Sequence, residues 1–236
     1  MILNIETATH VCSVALSSGL QLIDIRESYQ EKTHASMLAV FIDDILKNNN
    51  LKPTQLDAVS VSKGPGSYTG LRIGVSTAKG IAYGADIPLI SVSTLQALAL
   101  GAISHPKNPC RMPSVKEKTW YCPMIDARRM EVFSAFYNDK NEITRPVSAN
   151  IIDKETYSDI LSEKPVVFFG TGAEKCKPVL SHRNAFFLDG VLPSARFMIP
   201  LSNRAYKEKN FEDSAYFEPF YLKDFIATIP KKNIYR

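Results

Sequence analysis

The sequence predicts an α/β protein in two lobes, each built on the same order of elements, β-β-β-α-β-α. Three observations carry that reading. The order βββαβ occurs twice, beginning near Ile2 and again near Trp120. Each copy opens on an apolar strand closed by a carboxylate, Glu6 in the first and Asp126 in the second. Between them lies a glycine-rich segment, residues 63–84, in which Gly66, Gly70 and Gly74 recur every four residues. Ala78 and Ala82 continue that spacing, so one face of a helix carries almost no side chains.

The elements follow in order. Residues 2–6 form a short apolar strand, residues 11–17 alternate loosely as a second, and Ser18-Gly19 marks a turn. Residues 20–25 alternate again, which places Leu20 and Leu22 on the sheet. The period then changes: Ala35, Leu38, Phe41, Ile42 and Ile45 fit a 3.6 repeat from His34 to Leu46, capped by Thr33 and ended by Asn48-Asn49-Asn50. Residues 57–62 are a fourth strand running into the glycine helix, residues 89–92 a fifth, and 93–104 a helix. In the second copy, residues 120–126 and 131–137 form a hairpin, with a third strand within 146–152. A helix over 154–161, a buried strand over 166–169 and a last helix over 195–209 complete the pattern. The Pro-rich stretch 106–113 marks the boundary between lobes 1–105 and 106–236, with the last helix and tail free to pack back on the first lobe.

Composition restricts the function classes. At 236 residues, 45% hydrophobic and 22% charged, the chain has the make-up of a globular protein with a sizeable core. It lacks an apolar run long enough for a membrane span, and its first residues look like a strand and not a signal peptide; a cytoplasmic protein without membrane partners is the expectation. Cys12, Cys110, Cys122 and Cys176 are scattered without a CxxC pair, which argues against a zinc site. A net charge of +4 permits a nucleic-acid partner without requiring one, and Arg128-Arg129 and Lys231-Lys232 are short basic runs.

The glycine segment invites two readings. It matches neither the GxxxxGK[ST] loop nor a good GxGxxG, so phosphate binding would rest only on free amides near Gly66 and Ser67. Each interior glycine costs a helix about 1 kcal/mol relative to alanine, so close approach of another backbone must compensate. That approach is either internal, onto the sheet or the helix from His34, or external, onto a partner or a second copy of the chain. The apolar Leu71 and Val75 face can cover the sheet, which favours the external reading.

Two lobes of this order describe a minimal version of the duplicated ribonuclease-H-like fold shared by actin-like ATPases. The segments 2–9, 12–16, 63–84, 91–95 and 219–223, with His34, resemble the TsaB (YeaZ) family in order along nearly the whole chain. The stretch 126–132, Asp-Ala-Arg-Arg-Met-Glu-Val, resembles it more weakly. The resemblance implies a non-catalytic subunit of the bacterial complex that forms threonylcarbamoyladenosine beside the anticodon of tRNAs reading ANN codons. It implies pairing with a TsaD-like catalytic paralogue, docking of a TsaE-like ATPase, a homodimer when alone, and tRNA reached through the complex. ATP or ADP would then sit at a subunit interface, with no cofactor held tightly.

Within that frame the interface residues are His34, Leu38, Phe41, Gly66, Thr69, Gly70, Gly74, Ala78 and Ala82. The residues placed to meet nucleotide or phosphate are Glu6, Gly66, Ser67, Asp126, Gly170 and Gly172. Catalytic and metal-ligating residues are expected to be none. TsaD-like subunits hold metal with histidines one helical turn apart, whereas Leu38 follows His34 here; His34 reads as a cap or packing residue. The turns after Glu6 and Asp126 lack the glycine that would let amides close on a phosphate, so both acids read as locally bonded remnants. Ser67 and Thr69 suit a turn and cap better than a hydrolase nucleophile. The competing class is a small ATPase, acyl kinase or peptidase on the same fold.

Overall fold

Strand β1 (Ile2–Glu6) is buried along its whole length and lies at the centre of the first sheet. The computed structural model describes residues 1–31, 33–110 and 118–223. Around β1 the sheet order is β3-β2-β1-β4-β5, with β2 (Cys12–Ser18) and β3 (Gln21–Ser28) antiparallel and β4 (Ala58–Gly64) and β5 (Leu89–Ser93) parallel. The second sheet repeats the arrangement around β6 (Trp120–Asp126). Its order is β10-β9-β6-β7-β8, from β7 (Glu131–Tyr137), β8 (Ile143–Ile151), β9 (Val166–Phe169) and β10 (Ala185–Leu188). The duplication expected from the two acid-closed strands is therefore present in the topology of both sheets.

Three local expectations need correction. Leu20 lies in the turn, 68% exposed, and not on the sheet; Leu22 is in β3 as expected, partly exposed on an edge strand whose register with β2 slips at Leu16/Ser17. The helix expected over 154–161 begins only at Ser158 and runs to Glu163 (α4 below). Asp153 Oδ1 accepts the amides of Glu155 and Thr156, a local turn that competes with helix. Strand β10 and a one-turn helix at Ala173–Cys176 (α5) were not expected; Ala-Phe-Phe-Leu has no alternation to distinguish it. Part of the expected boundary 106–113 lies outside the described residues, which omit 111–117.

The helices are α1 (His34–Asn48), α2 (Tyr68–Ala85), α3 (Thr94–Ile103), α4, α5 and α6 (Ala195–Lys207). Helix α3 ends the first copy yet sends Leu95, Leu98 and Ala102 into the core beside Tyr121, Tyr137 and Phe169 of the second sheet. Helix α6 ends the second copy yet packs Ala195 and Met198 against Ile2, Ala15 and Ile90 of the first. The two cross where Gly101 leaves room for the Phe197 ring. Polar contacts inside the core fix α6: Ser202 Oγ donates to Asn4 Oδ1 at 2.7 Å, and Ser194 donates to Glu27 at 2.6 Å. After α6 the chain returns along the first lobe, where Glu212 N–H donates to Leu89 O at 2.8 Å and Phe220 N–H to Lys63 O at 2.7 Å.

The small-residue stripe of α2 has its occupant inside this chain. A Cβ at Gly66 would stand 2.2 Å from Ala8 O, at Gly70 2.2 Å from Thr7 O, and at Gly74 2.1 Å from Thr7 Oγ1. Ala78 and Ala82 continue the stripe into the first core. The external reading of Gly66, Gly70, Gly74, Ala78 and Ala82 is thus corrected: the loop leaving β1 fills that face. His34, Leu38 and Phe41 are corrected with it, since all three lie on the buried side of α1. His34 Nε2 is 3.2 Å from Val11 O, a packing role. Of the expected interface residues only Thr69 is exposed.

The obstacle differs between neighbouring glycines, and that sets a test. Gly70→Ala should destabilise the protein by about 2–3 kcal/mol and resist rescue, because a backbone carbonyl blocks the methyl. Gly74→Ala should be destabilising alone but largely recovered in Thr7→Ala/Gly74→Ala, which removes the obstructing hydroxyl. Urea denaturation of these three variants and of Thr7→Ala/Gly70→Ala measures this; equal rescue at both positions would contradict it.

Candidate functional site

The two strand-end carboxylates do the same local work in very different surroundings. Glu6 is fully buried; its Oε1 accepts the Ala8 amide at 2.6 Å, while Oε2 has no hydrogen-bond partner among the described residues. Burial pushes its pKa from 4.5 up to about 7, with the Ala8 amide holding it back only in part. Asp126 also caps the amide two residues on, its Oδ1 accepting Arg128 N–H at 2.8 Å. It is half exposed, and Lys175 Nζ donates to the same oxygen at 2.5 Å. Lys175 donates as well to Glu131 O at 2.7 Å, which ties both ends of the β6–β7 hairpin.

Between the lobes lies a cleft of about 1140 Å³. One wall is the loop Ala8-Thr9-His10 with the start of α2, where Ser67 Oγ accepts the Gly70 amide at 3.3 Å as a helix N-cap. The other wall is Ile125–Arg128, the Gly170-Thr171 turn and residues 188–192. Of the residues expected to gather here, Gly66, Ser67, Asp126 and Gly170 do line the cleft. Glu6 does not: it is fully buried, and of the residues just after it Ala8 forms the wall. Gly172 does not either: its amide donates to Met124 O at 2.9 Å, and a Cβ there would meet Val132.

The C-terminal segment supplies lining residues absent from the sequence expectation. Tyr221, Leu222 and Lys223 complete the cleft. The Tyr221 ring lies 4.8 Å from that of Tyr68, over which Arg72 sits at 4.3 Å. Lys223 Nζ reaches Glu131 Oε2 at 2.5 Å and links this segment to β7 of the opposite lobe. The aromatic richness of 217–222 was the available signal, but nothing local says that it crosses to the cleft mouth. Arg128 was likewise missed as a lining residue, since its place depends on the hairpin turn. Among the described residues there is no group of three or more His, Cys, Asp or Glu side chains placed to hold a metal ion.

Two acid-closed central strands, one in each of two five-stranded sheets, facing a shared cleft, define the actin-like class of α/β proteins. Comparison with known proteins narrows this. The family model described as TsaD: tRNA N6-adenosine threonylcarbamoyltransferase matches residues 27–231. An Escherichia coli protein described as tRNA threonylcarbamoyladenosine biosynthesis protein TsaB is 32% identical over 234 residues, 96% of each chain. The Haemophilus influenzae protein of the same description is 29% identical over 226 residues, 94% of this chain and 93% of its own. The solved structure of YeaZ from Pseudomonas aeruginosa superposes with a TM-score of 0.76 at 24% identity, covering 94% of this chain and 99% of that one. The chain belongs to the TsaB (YeaZ) family, within the wider family that the TsaD model describes.

The burial of Glu6 makes stability depend on pH. Its folded pKa, about 7, lies above the ordinary 4.5, so the contribution of the neutral acid is complete below 4.5 and is lost as pH rises through 7. The gap corresponds to roughly 3 kcal/mol. The other titratable group coupled to Glu6 is Cys12, whose thiol is held at about 11 by burial and by Glu6, outside this window. Glu6→Gln, which keeps an acceptor for Ala8, should be more stable than the natural protein at pH 8 and nearly pH-independent between 5 and 8. Thermal melts across that range test it; parallel curves for both proteins would refute it.

Proposed function

We propose that this chain is the non-catalytic subunit of the assembly that forms threonylcarbamoyladenosine in tRNA. The observation that carries the reading is the match along 96% of the chain to a protein described by that pathway. The state of the two carboxylates supports a role other than chemistry: Glu6 is sealed beneath the loop leaving β1, and Asp126 is occupied by Lys175 and the Arg128 amide. In this reading the chain works in the cytoplasm beside a TsaD-like paralogue, which performs the transfer, while a TsaE-like ATPase docks on the pair. ATP or ADP binds at a subunit interface, and tRNA is engaged by the whole assembly.

The docking face is the outer side of α1 and α2, opposite the buried stripe. There Ala35, Ala39, Ser76 and Gly80 are exposed and small, with Val40 47% and Tyr83 86% exposed among them. Small side chains let a second helix pair approach closely, and the larger two supply anchors. A self-complementary patch of this kind also forms a homodimer when the paralogue is absent.

Loss of the gene should remove threonylcarbamoyladenosine from bulk tRNA, read by nucleoside mass spectrometry; unchanged modification would overturn the proposal. Val40→Asp should leave the fold intact by circular dichroism but reduce co-purification with the TsaD-like paralogue at least tenfold. The enzyme alternative, a small ATPase, acyl kinase or peptidase, rests on the cleft itself. It would prevail if the purified chain alone turned over ATP and lost that turnover in Asp126→Ala.

A further inference from the structure

The tip of the β6–β7 hairpin carries a conformational and an electrostatic anomaly at the same two residues. Arg128 and Arg129 both hold positive φ, 71° and 47°. Consecutive positions of this kind at a hairpin tip ordinarily take Asn-Gly or Gly-Gly, since a side chain is disfavoured there. The hairpin also has two acids that could neutralise them, and both are engaged elsewhere. Asp126 is held by Lys175 and by the Arg128 backbone, and Glu131 Oε2 by Lys223. Neither guanidinium takes part in any ion pair or ring contact among the described residues. Within the hairpin's own surroundings, Lys175 and Lys223 are taken up by Asp126 and Glu131, which leaves Arg128 and Arg129 exposed; the further acids on the cleft lining are Glu31 and, sharing Lys177, Glu174 and Asp189.

The tip is held in place. Ile152 N–H donates to Met130 O at 2.7 Å, Glu131 N–H to Arg128 O at 3.0 Å, and Lys175 spans from Asp126 to Glu131 O. Its two forks are therefore presented from a fixed turn at the mouth of the cleft, with Arg128 on the lining. We propose that Arg128 and Arg129 contact the phosphate backbone of RNA. Arginine forks match phosphate oxygens. Exposed arginines gain little from one small anion in water but much from a polyanion, whose bound counterions they release. That favours a nucleic-acid backbone lying across the cleft mouth over a mononucleotide enclosed within it. That the RNA is tRNA rests on the proposed function, and the contact gives this subunit a direct share in engaging it.

The test is an Arg128→Asn/Arg129→Gly variant beside Arg128→Lys/Arg129→Lys, each in complex with the TsaD-like paralogue or, should none form, alone. The probes are an unmodified tRNA transcript that reads an ANN codon, and ATP. The Asn-Gly variant should melt no lower than the natural protein, since it suits the turn, yet bind tRNA at least tenfold more weakly. The slope of log affinity against log salt should fall by about 1–2, one lost phosphate contact per arginine. The Lys-Lys variant should recover most of that slope. Unchanged tRNA affinity in Asn-Gly, a natural protein that binds no tRNA, or a Lys-Lys variant no better than Asn-Gly would each overturn the proposal. So would loss of ATP binding with tRNA affinity intact, which assigns the arginines to a small phosphate ligand. If tRNA binding depends on the arginines while cells lacking the gene keep the modification, the proposed function fails and the RNA contact stands.

Discussion

The structure depends most on the contact between helix α2 and the loop leaving β1. Gly66, Gly70 and Gly74 let the helix backbone lie directly on Thr7 and Ala8, and Ser67 N–H donates to Ala8 O at 2.6 Å. From this contact come two other features. It closes Glu6 off from solvent and brings the start of α2 to the cleft. The helix-propensity cost of the glycines, about 1 kcal/mol each, is offset by this backbone approach. Side chains at these positions would move α2 away from β1 and open the site's floor.

The second lobe repeats the strands of the first without repeating this device. Its counterpart of α2 is the four-residue α5, against 18 residues in α2, and its counterpart of α1 is the six-residue α4. Gly170, at φ 99°, turns tightly after β9 and packs against Met124 O, but no long helix follows. The lobes are joined by exchange: α3 of the first copy lies on the second sheet and α6 of the second on the first. Such an exchange makes the cleft angle a property of the core, with the Lys223–Glu131 pair adding a link at its mouth.

Charge placement separates the two acids that a sequence comparison of the lobes would treat as equivalents. Asp126 lies at an exposed strand end, where Lys175 pairs with it. For Glu6, burial is the dominant influence on its proton and raises its pKa, with hydrogen bonds from Ala8, Ser62 and Thr7 opposing it in part. Both satisfy the backbone of the turn that follows, a structural task that accounts for an acid at the end of each first strand. Around the hairpin after Asp126, Lys175 of α5 and Lys223 of the C-terminal segment pair with its acids, while its own Arg128 and Arg129 are exposed.

Most of the architecture was legible because each element has a local cause. Trp120–Asp126, Glu131–Tyr137 and Val166–Phe169 lie where apolar runs and turn residues place them, and α1 follows its 3.6 repeat from His34. The cleft was half legible: Gly66, Ser67, Asp126 and Gly170 follow strand ends and so meet at one edge of the sheets, whereas Tyr221 and Lys223 arrive from over 150 residues beyond α2's start. By itself the sequence determined most of the element types, though not β10 or α5, together with the duplication and the fact that α2 carries a face shaped for close contact. Only the tertiary structure decided what fills that face. Spacing of small residues encodes the shape of a surface and not its occupant; the occupant here, Thr7 and Ala8, lies some sixty residues earlier and reaches the helix only once β1 and β4 pair.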